Sequence, residues 1–227
     1  MEAMIKVSNA WRLFGPQRQD RALAGVSLTV GAGEFLCLAG PSGSGKTTLL
    51  NLMGVLDLPS EGRVEILGQD TGKISLRQRA LLRRRHFGFI FQAYNLIPVL
   101  TAFENVEYPL IIKGKTRQQR SCLVRQALEA VGIGEYAAKR PGELSGGQQQ
   151  RVAVARAIAD TPPIILADEP TGNLDSKTSA ALMDLLQHLN LELGITFAFS
   201  SHDPQVIKRA RRIVGLQDGV IATDSTV

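Results

Sequence analysis

The apolar run Phe35-Leu36-Cys37-Leu38-Ala39 breaks directly into Gly40-Pro41-Ser42-Gly43-Ser44-Gly45-Lys46-Thr47, and then into Thr48-Leu49-Leu50-Asn51-Leu52-Met53. Five consecutive apolar residues bounded by turn formers predict a strand buried on both faces, which only a sheet covered on both sides can hold. The segment after the glycines has good helix formers at helical spacing. A buried strand, a glycine turn and a helix in immediate succession commit the chain to an α/β layer architecture. The turn also fits G-x-x-x-x-G-K-[ST] at every position. Its spacing has a chemical reason. The glycines let backbone N–H groups turn inward around phosphate oxygens, and the helix directs its positive end at them. Lys46 reaches the outer phosphates and Thr47 offers a hydroxyl to magnesium.

A second segment, Ile164-Ile165-Leu166-Ala167-Asp168-Glu169, reads as a buried strand ending in two adjacent carboxylates. Such a pair is costly unless a positive charge lies nearby, and Mg²⁺ bound to nucleotide phosphates supplies one. On that reading Asp168 faces the metal through water. Glu169, on the other side of the pleat, polarises the attacking water as general base. Read alone, the pair also fits a helix N-cap with a solvated neighbour. Beside the loop at 40–47 it completes a nucleoside triphosphatase. Leu144-Ser145-Gly146-Gly147-Gln148 then places a serine and two glycines where a helix begins. That is either a plain N-cap or a second anion-binding nest. One nucleotide requires one cradle, so two in one chain suggest two nucleotides shared across a dimer.

The rest of the chain frames these segments. Ile5-Lys6-Val7 and Val26-Ser27-Leu28-Thr29-Val30 alternate like antiparallel strands, and Val64 and Ile66 mark another short strand. From about 75 to 138 the composition turns polar and helical. Residues 117–131 place Leu123, Ala127, Leu128 and Val131 on one face before Gly132 and Gly134. A helix is expected over 146–159, and another carries Leu182, Leu185, Leu186, Leu189 and Leu193 up to Gly194. A buried strand over 195–200 follows, and Asp218-Gly219 marks a hairpin turn.

No apolar run approaches the roughly 18 residues of a membrane helix. The N-terminal residues lack the pattern of a secretory signal. Cys37 lies in an apolar run and Cys122 in a helical pattern, so neither suggests a disulfide framework or metal knuckle, and a reducing cytosol is expected. The 26 Lys and Arg against 21 Asp and Glu leave +5. The cations cluster at Arg77, Arg79, Arg83, Arg84 and Arg85, at Lys113, Lys115, Arg117, Arg120 and Arg125, and at Lys208, Arg209, Arg211 and Arg212. Aromatic residues are not interleaved with them as in a single-strand stacking platform. The clusters read as solvated or membrane-facing helix surfaces.

Across essentially the whole chain these motifs resemble the ATP-binding cassette (ABC) ATPases. Residues 40–47 match that family's Walker A motif, 164–169 its Walker B motif with the catalytic glutamate, and 144–148 its signature. Gln92 in Phe89-Ile90-Phe91-Gln92 matches the Q-loop glutamine, Asn173-Leu174-Asp175 the D-loop, and His202 in Ser200-Ser201-His202-Asp203 the switch histidine. Phe14 stands where many members have an adenine-stacking tyrosine. A ring face suffices for stacking, and nearby Trp11 is the other candidate. Ser201 replaces a common threonine.

The resemblance implies one cassette domain over 1–227. A RecA-like α/β core with an antiparallel β subdomain would occupy about 1–90 and 160–227, and a helical signature subdomain about 91–159. It implies ATP and Mg²⁺ as cofactors. Glu169, His202, Gln92 and Lys46 would be catalytic, and Thr47, Gln92 and Asp168 would be at the metal. Phe14, residues 40–48, Gln92, Ser145, Gly146, Gly147, Gln148 and Asp175 would be at nucleotide. A homodimer would close around two ATP and drive a separate permease through Tyr94 to Phe103, on the cytoplasmic face of the plasma membrane, with no nucleic acid. Gly54-Val55-Leu56-Asp57, the run from Phe91 to Pro98 and Thr101-Ala102-Phe103-Glu104-Asn105-Val106 resemble the macrolide-exporter and lipoprotein-releasing branch. A related branch assists cell division by regulating a membrane partner without transport. DNA-repair relatives would require a long coiled coil, and translation-type relatives two cassettes.

Overall fold

The computed structural model describes residues 3–15 and 20–226. β3 (Phe35–Ala39) is buried at all five positions. Its alternation sends Phe35, Cys37 and Ala39 into one core and Leu36 and Leu38 into another. Its sheet also contains β6 (Phe87–Ile90), β7 (Ile164–Ala167), β8 (Thr196–Ser201), β9 (Arg212–Gln217) and β10 (Val220–Thr226). The order is β10-β9-β3-β8-β7-β6, with β10 antiparallel to β9 and the remaining pairs parallel. Ala39 pairs with Ser201 and Ala167 with Phe199, so β3, β7 and β8 end along one edge. That edge is where parallel sheets bind ligands.

A four-stranded antiparallel sheet of order β2-β1-β4-β5 is built from β1 (Ala3–Phe14), β2 (Asp20–Gly31), β4 (Glu61–Ile66) and β5 (Gln69–Asp70). α1 (Lys46–Met53) packs between the two sheets. Its Leu49, Leu50, Leu52 and Met53 share a core with Leu36 and Leu38 on one side and Ile5, Val7, Leu28 and Ile66 on the other. On the opposite face of the main sheet lie α3 (Ala102–Ile112), α4 (Arg117–Ala130), α5 (Gly146–Ile158) and α6 (Ser176–Leu193), packed around Phe35, Phe197 and Phe199. α2 (Leu76–His86) precedes β6, and the short α7 (Pro204–Ile207) precedes β9. No helix among the described residues is long and apolar enough to cross a membrane.

Four successive helices start with the same reciprocal cap. Ser75 and Gln78, Thr101 and Glu104, Thr116 and Gln119, and Ser145 and Gln148 each exchange side-chain and backbone bonds. Such caps contribute about 1 kcal/mol each. The other end of α6 is closed by Gly194 at φ +63, and Asp218 and Gly219, at φ +49 and +78, form the expected hairpin turn.

Several expectations shift. The region expected to be helical from 75 to 138 is interrupted by β6, an edge strand of four residues. It is too short to show alternation, and it is held by its pairing with β7. α4 buries Val124 with Ala127 and Leu128, while Leu123 is only partly covered. In α6 Met183 joins the buried stripe and Leu193 is 43% exposed. The clustered cations lie at the surface, and several of them also bond to the fold. Arg83 donates to Val55 O and Arg84 to Ile112 O. Lys113 and Lys115 both clasp Asp160, and Arg212 binds Glu34 and Asp224.

Gly88 sets the approach of α5 to β6: a Cβ there would stand 2.5 Å from Ala157 O and 3.1 Å from Ile165 Cγ1. Gly88→Ala is therefore expected to destabilise the chain by about 1–3 kcal/mol, measured by urea unfolding. A variant as stable as the parent would show that α5 can retreat without cost.

Candidate active site

The loop at 40–45 leaves β3 and opens α1 with glycines at φ +154, +81 and +104 for Gly40, Gly43 and Gly45. A Cβ on Gly40 would fall 2.3 Å from Leu216 O, so β9 presses the loop from behind. A Cβ on Gly43 would meet nothing within 4 Å. The open side is thus bare backbone, the geometry that lets N–H groups approach an anion. Inside the loop the buried hydroxyl of Ser44 has no hydrogen-bond partner among the described residues. Lys46 is 6% exposed, with Nζ donating to Gly40 O at 2.8 Å and Pro41 O at 2.9 Å, and lies 3.9 Å from Glu169 Oε1.

The ends of β7 and β8 meet this loop. Thr47 Oγ1 donates to Asp168 Oδ1 at 3.0 Å, and Ser200 Oγ donates to the same oxygen at 2.7 Å. Ser200 Oγ also accepts the Glu169 N–H at 2.9 Å. Glu169 was expected on the opposite side of a pleat from Asp168. β7 ends at Ala167, however, and a left-handed turn at Glu169, φ +45, sets its direction instead. Its carboxylate meets His202 Nδ1 at 2.9 Å. Ser200 is the residue that motif reading missed; its signal was a hydroxyl following the apolar run Phe197-Ala198-Phe199 near the end of a buried strand.

A cleft of about 370 Å³ gathers Ser42, Gly43, Gly45, Lys46, Thr47, Thr48, Gln92, Glu169 and His202. The residues fit a nucleotide's phosphates with a divalent cation: a lysine, bare loop N–H groups, and a hydroxyl beside a carboxylate. No cluster of three His, Cys, Asp or Glu occurs among the described residues. Magnesium characteristically takes one or two carboxylates and completes its shell with phosphate oxygens and water. Burial pushes the Cys37 thiol up to about 12, so it stays protonated beneath the loop.

A separate cleft of about 390 Å³ is lined by Ser145, Gly146, Gly147, Gln148, Asn173 and Asp175 among others, and shares no residue with the first. Ser145 does cap α5, accepting the Gln148 N–H at 3.3 Å. Its own hydroxyl proton remains available to donate. Asp175 accepts N–H bonds from Lys177 and Thr178 and a hydroxyl bond from Thr178, which hold its carboxyl below the usual range. Phe14 is 42% exposed, with the Arg12 guanidinium 4.5 Å from its ring centroid. Trp11 lies against Gly25. Neither ring lines the cleft.

A third cavity, of about 310 Å³, lies between α2, β6 and the ends of α3 and α5. Its walls include Phe87, Phe89 and Phe91, with Arg83, Arg84, Lys113 and Arg156. Of the segment 94–103, expected to meet a partner, Asn95 reaches this groove. Leu96 and Phe103 turn inward against the core, leaving Ile97 and Val99 at 37% and 73% exposure.

Comparison with known proteins agrees with this geometry. Residues 23–172 match the family model described as "ABC transporter". An uncharacterised ABC transporter ATP-binding protein of Methanocaldococcus jannaschii is 46% identical over 96% of this chain and 97% of its own length. The ABC transporter ATP-binding protein YtrE of Bacillus subtilis is 47% identical over 94% and 92%. The macrolide export ATP-binding/permease protein MacB of Hyphomonas neptunium is 46% identical over 98% of this chain, which spans 34% of that longer protein. Among solved structures, the dimeric ABC transporter cassette MJ0796 superposes with a TM-score of 0.90 at 44% identity, covering 98% of both chains. A post-hydrolysis state of that cassette, bound to ADP and Pi, does so at 43% identity with the same TM-score and coverage. With this fold, this loop and these relatives, the chain belongs to the ABC transporter family and is an ABC ATPase cassette.

Proposed function

We propose that two copies of this chain close head to tail around two ATP molecules, and that closure drives a separate membrane permease of the macrolide-exporter or lipoprotein-releasing kind. The observation that carries this reading is the pair of disjoint clefts, one holding the phosphate loop and the other the start of α5 at Ser145 and Gly147. Each offers anion-binding donors, and together they suit one nucleotide held between two copies. The dimeric form of the cassette MJ0796 and the joined ATP-binding and permease parts of MacB support the assembly.

In one copy, the N–H groups of the loop and Lys46 bind the phosphates, and Phe14 offers adenine the ring face away from Arg12. Thr47, Asp168 and Gln92 would hold Mg²⁺, which when bound neutralises charge on the outer phosphate oxygens. Glu169 accepts a proton from the attacking water, and His202 steadies it through Nδ1. From the other copy, Ser145 donates its free hydroxyl proton to the terminal phosphate. Hydrolysis to ADP and phosphate removes that bridge, and the dimer opens. The assembly sits on the cytoplasmic face of the plasma membrane through its permease, which contacts exposed Ile97 and Val99 and the phenylalanine-walled groove.

Glu169→Gln is expected to lower kcat by about 100-fold or more and to accumulate an ATP-bound dimer, visible by light scattering. Normal turnover, or a monomer with ATP and Mg²⁺, contradicts the role. Ser145→Arg should bind ATP with parental affinity yet lose ATPase activity and dimerisation; parental activity would exclude a shared site. Val99→Glu should prevent co-purification of the native membrane protein without weakening ATP binding. Undiminished recovery would move the contact elsewhere.

A further inference from the structure

Two residues beyond Gln92 the backbone makes an uncommon turn. Tyr94 and Asn95 are both left-handed, at φ +61 and +50, a conformation that L side chains resist, tyrosine more than asparagine. The turn is held from outside. Arg156, in the last turn of α5, donates from Nη2 to Tyr94 O at 2.8 Å and from Nη1 to Asn95 O. Burial pushes the guanidinium pKa down, and the two carbonyls replace water around its charge. At the first turn of the same helix Gly146 makes room for the Tyr94 phenol: a Cβ there would stand 2.9 Å from Tyr94 Oη. α5 therefore holds the turn through Arg156 and leaves room at Gly146 for its phenol. Gln92 is fixed on its other flank, where its backbone carbonyl accepts from Asn173 Nδ2 at 2.9 Å. Phe91 stacks on Phe89, with ring centroids 6.0 Å apart. Arg156 and Asn95 also line the groove beside Phe89 and Phe91.

We propose that Arg156 is a positioning residue for ATP hydrolysis: its paired bonds to the Tyr94 and Asn95 carbonyls hold the left-handed turn that sets the reach of Gln92 into the nucleotide cleft. This rests on the role given above to Gln92. A bidentate guanidinium suits the task because two carbonyls of one turn are fixed by one planar group.

The test is steady-state ATPase activity of the full chain. Arg156→Gln should lower kcat by about tenfold while KM for ATP stays within about twofold. Arg156→Lys should fall between, keeping the charge but losing the planar fork. Adding Asn95→Gly to Arg156→Gln should recover part of the loss, since glycine adopts positive φ without strain. A side chain that merely stabilised α5 would not be rescued from that position. Parental kcat in Arg156→Gln, or a loss that neither the lysine nor the glycine change mitigates, overturns the proposal. If Arg156→Gln fails to fold by circular dichroism, Arg156→Lys decides: reduced kcat at constant KM supports the role and parental kcat rejects it. Gln92→Ala separates the two readings. If Gln92→Ala also keeps parental kcat, the role of Gln92 itself fails. If Gln92→Ala loses activity and Arg156→Gln does not, only the positioning role fails.

Discussion

One carboxylate oxygen joins the parts of this molecule. Asp168 Oδ1 accepts the hydroxyls of Thr47 and Ser200, binding the start of α1 and the end of β8 to the end of β7. Ser200 then takes the next N–H, that of Glu169, and the backbone turns left-handed there. A single buried hydroxyl thereby directs two adjacent acids apart, one toward the loop threonine and the other toward His202. The consequence is chemical: acids that would repel in parallel serve different partners, one suited to a cation and the other to a proton.

Much of this frame was legible because it is local. β3, the glycine loop and α1 are contiguous in the chain, and burial, turn and helix spacing each show in adjacent residues. The caps at Ser75, Thr101, Thr116 and Ser145, the helix stop at Gly194 and the turn at Asp218 and Gly219 are likewise short-range. Relations across the fold were not legible. β6 exists through pairing with β7, and Ser200 acquires its function when β7 and β8 are brought into register. The pleat expected at Glu169 gave way to a turn because strand pairing stops one residue earlier than the acids. Leu96 lay in an apolar stretch expected on the surface, yet the Asn105 side chain bonds the backbone of Ile97 and draws that loop inward.

The charge pattern illustrates the same limit. A cluster of arginines in a sequence suggests an external surface, and the clusters do lie there, yet Arg83, Arg84, Lys113, Lys115 and Arg212 also have carbonyl or carboxylate partners on other elements of the fold. Their apparent excess reflects where the acceptors lie: helix ends and strand edges distant in sequence. A guanidinium with five donors can satisfy several such groups at once, which makes arginine a seam residue as well as a surface one.

The reciprocal caps on α2, α3, α4 and α5 have a local consequence. Each cap satisfies the N-cap and N3 N–H groups from within its own four residues, while the next two N–H groups of α3 go to the carbonyls of Lys139 and Ala137, so these bonds do not draw on the main sheet. What fastens α3 to α5 is the shared apolar core of Val106 and Leu110 with Val152 and Ala155, with the clasp of Lys113 and Lys115 on Asp160 at its rim. The start of each of these helices is therefore closed by residues three apart in one segment, so its cap bonds are fixed locally before any long-range packing is in place.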